Sequence, residues 1–193
     1  SHLDAAVFTH SHSDHVMGFD DLRRFTVMED EELPVFALDE TLDRLKTAFP
    51  YVFDGENRYR GYLKIQGNKI DGPFRVKEFE FTPLPVEHGK VETIGFLVSR
   101  DSERLFAYIP DAKTLHPETV AAIDGIDLLI LDGLQPGHHW THLSIPEAVD
   151  IAGEAKAKST WLTHMSCQVD YKLIEPTLPD SVRLAWDGLE IQL

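Results

Sequence analysis

Cysteine is nearly missing from this chain: Cys167 stands alone among 193 residues. No internal disulfide can form, which favours a reducing compartment, and a cytoplasmic location is the expectation. Basic residues are also scarce, with 18 Lys and Arg against 33 Asp and Glu and a formal net charge of −15. That excess of acid repels nucleic-acid backbones and speaks against general nucleic-acid binding. A small anionic substrate stays compatible if metal ions supply local positive charge. No apolar run is long enough to span a bilayer, so no membrane partner is expected. Internal repeats and low-complexity tracts are absent too. What remains is the composition of a globular protein of a size that fits a single domain over 1–193 and buries a core without staples.

Read for periodicity, the chain mixes strands and helices, which places it in the α/β or α+β class. Leu3 to Phe8 reads as a short buried strand, Phe19 to Phe25 as a short helix and Pro34 to Leu38 as a strand. Asp39 to Ala48 predicts a helix with Asp39 as N-cap and Leu42 and Leu45 on one face. Residues 51–73 read as a glycine-containing loop or lid with one strand, Tyr62 to Ile65. Phe74 to Phe81 is a strand by imperfect alternation. Thr93 to Ser99 and Arg104 to Ile109 form a hairpin closed by Arg100 to Glu103. Pro117 to Ile123 is a helix, Leu128 to Leu131 a buried strand, and Ile145 to Ala157 a helix with Pro146 in its first turn. Trp161 to Thr163 is a strand, and Val182 to Trp186 and Leu189 to Leu193 close the chain around Asp187-Gly188.

Chemistry concentrates in Thr9-His10-Ser11-His12-Ser13-Asp14-His15. Three imidazoles and a carboxylate within six residues are the ligands that a borderline divalent metal prefers. His10 and His12, at an i, i+2 spacing on a strand end, point the same way. Asp14 and His15 are adjacent and can face two different metals if the chain turns into a helix there. A surface cluster or a tag remnant is the plain alternative, but a tag is a homopolymer and this run follows an apolar strand. Three more candidates follow apolar strands: His88 in Pro85-Val86-Glu87-His88-Gly89, Asp111 in Tyr108-Ile109-Pro110-Asp111, and His164 in Leu162-Thr163-His164-Met165-Ser166. Strand C-terminal ends are where α/β sites gather.

The run resembles the H-x-H-x-D-H signature of the metallo-β-lactamase superfamily in full. The resemblance is narrowest to the group around the cyclic phosphodiesterase of the carbon–phosphorus lyase pathway. It is carried by Thr9 to Phe25 with Gly18-Phe19-Asp20-Asp21-Leu22-Arg23, and by Trp140-Thr141-His142-Leu143-Ser144 with Glu147-Ala148. Leu162 to Ser166 and Ala185-Trp186-Asp187-Gly188-Leu189 complete it. It implies a four-layer αββα sandwich. It further implies that His10 and His12 serve one metal, that Asp14 and His15 serve a second, and that His88, Asp111 and His164 complete the set, with Asp111 bridging. The implied cofactors are two divalent ions, zinc or manganese, with iron also compatible. His142 matches the histidine that this group uses in phosphodiester cleavage, and the helix starting near Ile145 adds positive potential there. His138 and His139 read as loop residues, and His116 and His2 as surface residues.

Two departures stand out. The superfamily's first strands precede the His-rich motif, and here almost nothing does, so the expectation is an N-terminally incomplete fragment or a processed chain. Many relatives also carry a histidine where this chain has Cys167. That thiol is either a ligand of a structural zinc whose partners lie elsewhere or an ordinary buried cysteine.

The implied function is metal-dependent hydrolysis of small or cyclic phosphodiesters through a hydroxide held by the metal pair, with Asp14 and His142 as the catalytic side chains. The alternatives are an ester, lactone or thioester hydrolase on the same dimetal site, or a non-catalytic metal-binding relative. A small-molecule phosphodiester is the expected partner, and a homodimer is left open.

Overall fold

A computed structural model of the chain describes residues 2–26, 32–54 and 61–193. Two compact units divide it, Ser1–Lys77 and Glu78–Leu193.

In the first unit β1 (Ala6–Val7) is followed by α1 (Ser13–Val16), a 3-10 turn (Phe19–Leu22) and α2 (Arg23–Thr26). Then come β2 (Leu33–Ala37), α3 (Asp39–Ala48), α4 (Pro50–Phe53), β3 (Ile65–Lys69) and β4 (Phe74–Val76). The first three strands form a parallel sheet in the order β1-β2-β3. Its core gathers Phe8, Phe19, Val35, Ala37, Leu45 and Phe49. Phe19 meets Phe8 edge-on at 5.9 Å between ring centroids and Phe49 at 5.3 Å, so the turn after the His-rich run is anchored by an aromatic cluster.

The structure shortens the Leu3 to Phe8 strand to Ala6–Val7, because only these two residues register with Val35 and Phe36 of β2. The α3 helix has the expected bounds, but its N-cap is Leu38. Asp39 lies in the first turn, where its carboxylate meets the positive end of the helix and pairs with Lys69. In the 51–73 stretch a helix occupies Pro50–Phe53, residues 55–60 lie outside the described residues, and the strand is Ile65–Lys69 instead of Tyr62 to Ile65. Pairing of Leu33 with Ile65 and of Ala37 with Lys69 sets that register.

The second unit holds β5 (Phe79–His88), β6 (Val91–Arg100), β7 (Glu103–Ile109), β8 (Thr114–Leu115), α5 (Pro117–Ala122) and β9 (Leu128–Asp132). It continues with α6 (Ile145–Glu154), β10 (Ser159–Thr163), α7 (Tyr171–Ile174), a 3-10 turn (Glu175–Thr177) and β11 (Val182–Leu184). These strands run in the order β11-β10-β9-β7-β6-β5, with β8 on β5. The β5–β6 and β6–β7 pairs are antiparallel, and β7, β9, β10 and β11 are parallel. Strands β5, β7, β9 and β10 therefore all point the same way, and their C-terminal ends share one edge. The core includes Ile109, Leu129, Leu131, Leu143, Ala148 and Leu162.

The Thr93 to Ile109 hairpin stands, closed by Asp101 and Ser102, both at positive φ. At Gly95 a β-carbon would lie 2.7 Å from both the Tyr108 carbonyl and the Ile109 side chain, so β6 can approach β7 only with glycine there. The single strand expected over Phe74 to Phe81 is broken at Lys77, whose φ of 53° leaves the extended region, into β4 and the start of β5. Helix α6 stops at Glu154 and not at Ala157, because Lys156 turns left-handed at φ 49° and the Ala157 N–H bonds back to the Ala152 carbonyl. Val182 to Trp186 contracts to β11, and Leu189 to Leu193 has no ladder partner among the described residues. The turn at Gly188 takes φ 85°.

Candidate metal centre

The His-rich run sits where β1 gives way to α1. His12 is the N-cap of α1 in extended conformation, and Asp14 occupies the first helical turn. The change from strand to helix fans the side chains out of one short segment. Nε2 of His10 stands 2.9 Å from Nδ1 of His12, and the His10 ring lies 4.2 Å from that of His15. Thr9 Oγ1 contacts His10 Nδ1 at 3.1 Å and fixes the ring. His10 is fully buried, while the Asp14 side chain is 61% exposed and lies 3.5 Å from His15. So the first unit brings together the four signature residues named from the sequence. His2 instead pairs with Asp4 on the surface.

The second unit builds its own cluster from the shared edge. His88 ends β5, Asp111 lies two residues past β7, Asp132 ends β9, and His164 follows β10. Oδ1 of Asp111 stands 3.3 Å from His164 Nε2, 3.7 Å from His142 Nδ1 and 3.8 Å from His88 Nε2. Asp111 is 1% exposed, so this carboxylate is withdrawn from water among imidazoles. Backbone geometry is spent on the arrangement as well. His164 adopts φ 60°, a left-handed conformation uncommon for a residue with a side chain.

Hydrogen bonds fix the tautomers. His88 Nδ1 is 2.7 Å from the Thr141 carbonyl, which can only accept, so Nδ1 carries the proton and Nε2 presents its lone pair beside Asp111. His142 Nδ1 donates to Asp132 Oδ2 at 2.8 Å. The same oxygen accepts the Ala112 N–H at 3.0 Å and the Leu143 N–H at 3.4 Å, so Asp132 ties the Asp111 and His142 segments together. Burial pushes the Asp132 carboxyl up, against the lowering effect of His142 and the Ala112 N–H. The His142 ring stacks on His164 at 5.0 Å and 16°. Burial and the neighbouring His142 hold His139 below the usual imidazole range.

Asp132 escaped the sequence reading. Its signal was there: an aspartate closing the apolar β9 run Leu-Leu-Ile-Leu-Asp, at the strand end where the other site residues were sought. His142 sits on a loop whose neck is closed by Leu134 N–H to Leu143 O at 3.0 Å and Ile145 N–H to Gln135 O at 2.8 Å. His138 and His139 lie on that loop as expected, and His116 is the N-cap of α5. Cys167 is exposed, which overturns its reading as a buried thiol. Among the described residues it joins no group of ligand side chains close enough to share an ion.

Residues of this kind fit a divalent ion. Ligand atoms about 2.1 Å from one tetrahedral ion stand roughly 3.4 Å apart, and the separations around Asp111 Oδ1 run from 3.3 to 3.8 Å. In the second unit the ligand atoms of His88, Asp111 and His142, and of Asp132, His142 and His164, form two triads whose atoms lie within 4.8 Å of one another. Among the described residues no helix is long and apolar enough to cross a membrane.

A family model described as the beta-lactamase superfamily domain matches residues 1–165. A Porphyromonas gingivalis (strain ATCC BAA-308 / W83) protein named octanoyltransferase is 33% identical over 193 residues. That match takes in 97% of this chain and 37% of the relative, so the chain spans little more than a third of the curated protein it matches. Among solved structures, a diphosphatase of the PhnP family is 29% identical with a TM-score of 0.87, over 99% of this chain and 72% of that one. Zinc-bound PqqB from Methylobacterium extorquens (19% identity, TM-score 0.73, 98% and 73% of the two chains) shares the fold. So does the short form of human tRNase Z (18%, 0.72, 98% and 78%).

Proposed function

Because this chain belongs to the beta-lactamase superfamily domain family, the metallo-β-lactamase-fold metal-dependent hydrolases, we propose that it is a phosphodiesterase acting on small or cyclic phosphodiesters. In this reading His10, His12, Asp14, His15, His88, Asp111 and His164 are the ligands of two divalent ions, zinc or manganese. Bound there, the ions supply Lewis acidity and a water acidic enough to attack near neutral pH.

The chain's own residues do the rest. The Thr141 carbonyl accepts the His88 Nδ1 proton and so turns Nε2 toward Asp111, which offers a buried carboxylate to its imidazole neighbours. His142 has Nδ1 engaged by Asp132, and in this reading its Nε2 passes a proton to the departing alkoxide oxygen. Asp132 orients that ring and stabilises its charged form. Asp14, exposed at the start of α1, is with His142 the other catalytic side chain of this reading and orients the attacking water.

The observation that carries the proposal is the convergence of His88, His142 and His164 on Asp111 Oδ1, with His142 tied to a second carboxylate. The likeness to a PhnP-family diphosphatase at 29% identity supports phosphorus over carbon as the reacting centre. The test is metal content of the purified protein together with hydrolysis of bis-p-nitrophenyl phosphate by wild type and Asp111→Ala. About two ions per chain, with turnover lost in the variant, is the expected result. No bound metal and no turnover would sink the assignment.

A second reading is hydrolysis of an acyl ester or thioester. It is favoured by the name of the Porphyromonas gingivalis relative, of which this chain matches 37%. Octanoyl thioesters turned over with phosphodiesters untouched would select it.

A further inference from the structure

The loop that carries His142 holds a second imidazole beside it. From 138 to 141 burial alternates: His138 and Trp140 are exposed, Trp140 to 84%, while His139 and Thr141 are half-buried. The rings of His138 and Trp140 meet edge-on at 5.2 Å, and the His139 ring lies instead 5.1 Å from that of His142. Resting on the phosphodiesterase reading, we propose that His139 is a further catalytic residue, donating a hydrogen bond from Nε2 to a non-bridging oxygen of the phosphoryl group on which His142 acts.

Thr141 sets the tautomer. Its backbone N–H, which can only donate, faces His139 Nδ1 at 3.4 Å, and its hydroxyl stands at the same distance. Nδ1 is therefore the accepting nitrogen, and the proton of the neutral ring is on Nε2. A second proton on Nδ1 would turn two donors against each other, which disfavours the imidazolium. Burial and then the neighbouring His142 act in the same direction. Among the described residues no hydrogen-bonding group meets His139 Nε2, so a half-buried N–H stands beside the site without an acceptor. His142 differs, because its Nδ1 proton is taken by Asp132. The two imidazoles thus divide the work: one is tied to a carboxylate and can carry charge, the other is a neutral donor.

Position and stiffness suit that role. His142 Nδ1 is 3.7 Å from Asp111 Oδ1, and His139 is the next ring outward from it. Rings this close reach different oxygens of one phosphoryl group through hydrogen bonds of ordinary length, about 2.8 Å. The loop is braced beyond its neck. The Gln135 amide donates to the His138 carbonyl at 3.1 Å, and the Gln168 amide donates to the Gln135 side chain at 2.9 Å. Thr141 is held from the far side by His88, which donates to its carbonyl. A donor fixed before the substrate arrives stabilises charge on an oxygen without reorganising. No proton is transferred in this contact: it stays on His139 Nε2, and the departing alkoxide takes its proton from His142.

The experiment compares the metal-loaded wild type with His139→Ala, His139→Phe and His139→Gln, with circular dichroism and metal content checking each protein. Phe keeps a ring without the donor, and Gln places an amide N–H near the position of Nε2. The kcat for bis-p-nitrophenyl phosphate should fall about 10- to 100-fold in the Ala and Phe variants, less than for a fully enclosed oxyanion donor because this ring is half-open to water. It should largely recover in His139→Gln, at unchanged metal content. Inorganic phosphate, followed by calorimetry, should bind the Ala and Phe variants more weakly than wild type or His139→Gln. The two enantiomers of methyl p-nitrophenyl phosphorothioate separate contact from support. Sulfur in place of one non-bridging oxygen weakens a bond to that atom alone, so the wild-type preference between enantiomers should shrink in His139→Phe. Unchanged turnover in His139→Ala, a loss that Gln does not recover, or an enantiomer preference that His139→Phe leaves intact overturns the assignment. Phosphate binding that depends on His139, in a protein that hydrolyses no phosphodiester, keeps the donor and overturns the phosphodiesterase reading.

Discussion

Asp132 Oδ2 holds the Nδ1 proton of His142 at 2.8 Å while also accepting the Ala112 and Leu143 backbone N–H groups. One buried carboxylate thus sets the tautomer of His142 and the position of the loop after β7. Replacing it by asparagine preserves the shape, removes the charge and lets an amide N–H face the ring. Asp132→Asn is expected to lower kcat about 10- to 100-fold, the range for partners of site histidines. Metal content should change much less. Steady-state kinetics paired with metal analysis checks this, and equal loss of both would make Asp132 a ligand in its own right.

The turn after β5 carries a second constraint. Gly89 sits at φ 63°, and a β-carbon there would lie 3.0 Å from Thr141 Cγ2. Thr141 is also the residue whose carbonyl orients His88. Gly89→Ala should therefore cost about 1–2 kcal/mol from the left-handed backbone alone, and it should push Thr141 away from His88. Thermal melting with and without added metal separates the two effects: the metal-dependent rise in Tm is expected to shrink in the variant.

Much of this was legible in the sequence, and for physical reasons. His10, His12, Asp14 and His15 are close in the chain, so local geometry gathers them whatever the rest does. Helix α3 announces itself through Leu42 and Leu45 on one face. Asp132 was not legible in that way, since its meaning lies in a hydrogen bond to a residue ten positions away. The β3 register was missed because pairing with β2, and not the propensity of Tyr62 to Ile65, decides which residues extend. Leu189 to Leu193 alternates like a strand but finds no ladder to join among the described residues. The N-cap of α3 was placed one residue late because an aspartate in the first turn serves the helix dipole as well as a cap would.

Packing under the site makes a stability prediction. Leu162 is fully buried in β10, two residues before His164, and its side chain lies 2.9 Å from where a β-carbon on Gly133 would fall. Leu162→Ala should leave a cavity and cost about 3 kcal/mol, read as a lower midpoint in urea at unchanged slope. Gly133→Ala overpacks the same region, where Leu162 Cβ at 2.9 Å, Cδ1 at 3.1 Å and Cγ at 3.3 Å would crowd the new β-carbon. Leu162→Ala removes Cδ1 and Cγ but keeps Cβ, so the double variant should cost less than the sum of the single changes and still more than Leu162→Ala alone. A strictly additive double variant would show that the Leu162 Cγ and Cδ1 atoms do not contribute to the crowding.

The start of α6 supplies a pH prediction. Ser144 caps the helix in a reciprocal box with Glu147: the Ser144 N–H and hydroxyl both donate to Glu147 Oε2, and Lys113 reaches Oε1 at 2.7 Å. Partial burial raises the Glu147 carboxyl, but the hydrogen bonds from Lys113 and Ser144 outweigh it and bring the group down to about 2. A carboxyl that is more acidic in the folded chain binds fewer protons there than in the unfolded chain. Its stabilisation is therefore complete above about pH 4.5 and lost as the pH falls toward 2. The side chain is 40% exposed, so solvent screens the Lys113 pair and the helix cap carries most of the effect. Wild type should lose Tm across that acid window more steeply than Glu147→Gln, with the two curves parallel above pH 5. Ser144→Ala should cost about 1 kcal/mol at neutral pH. Because α6 begins three residues after His142, that variant should also loosen the loop and raise KM. Melting curves against pH, with KM measured at neutral pH, decide the matter. An acid slope unaltered in Glu147→Gln would mean that other carboxyls govern the acid limb.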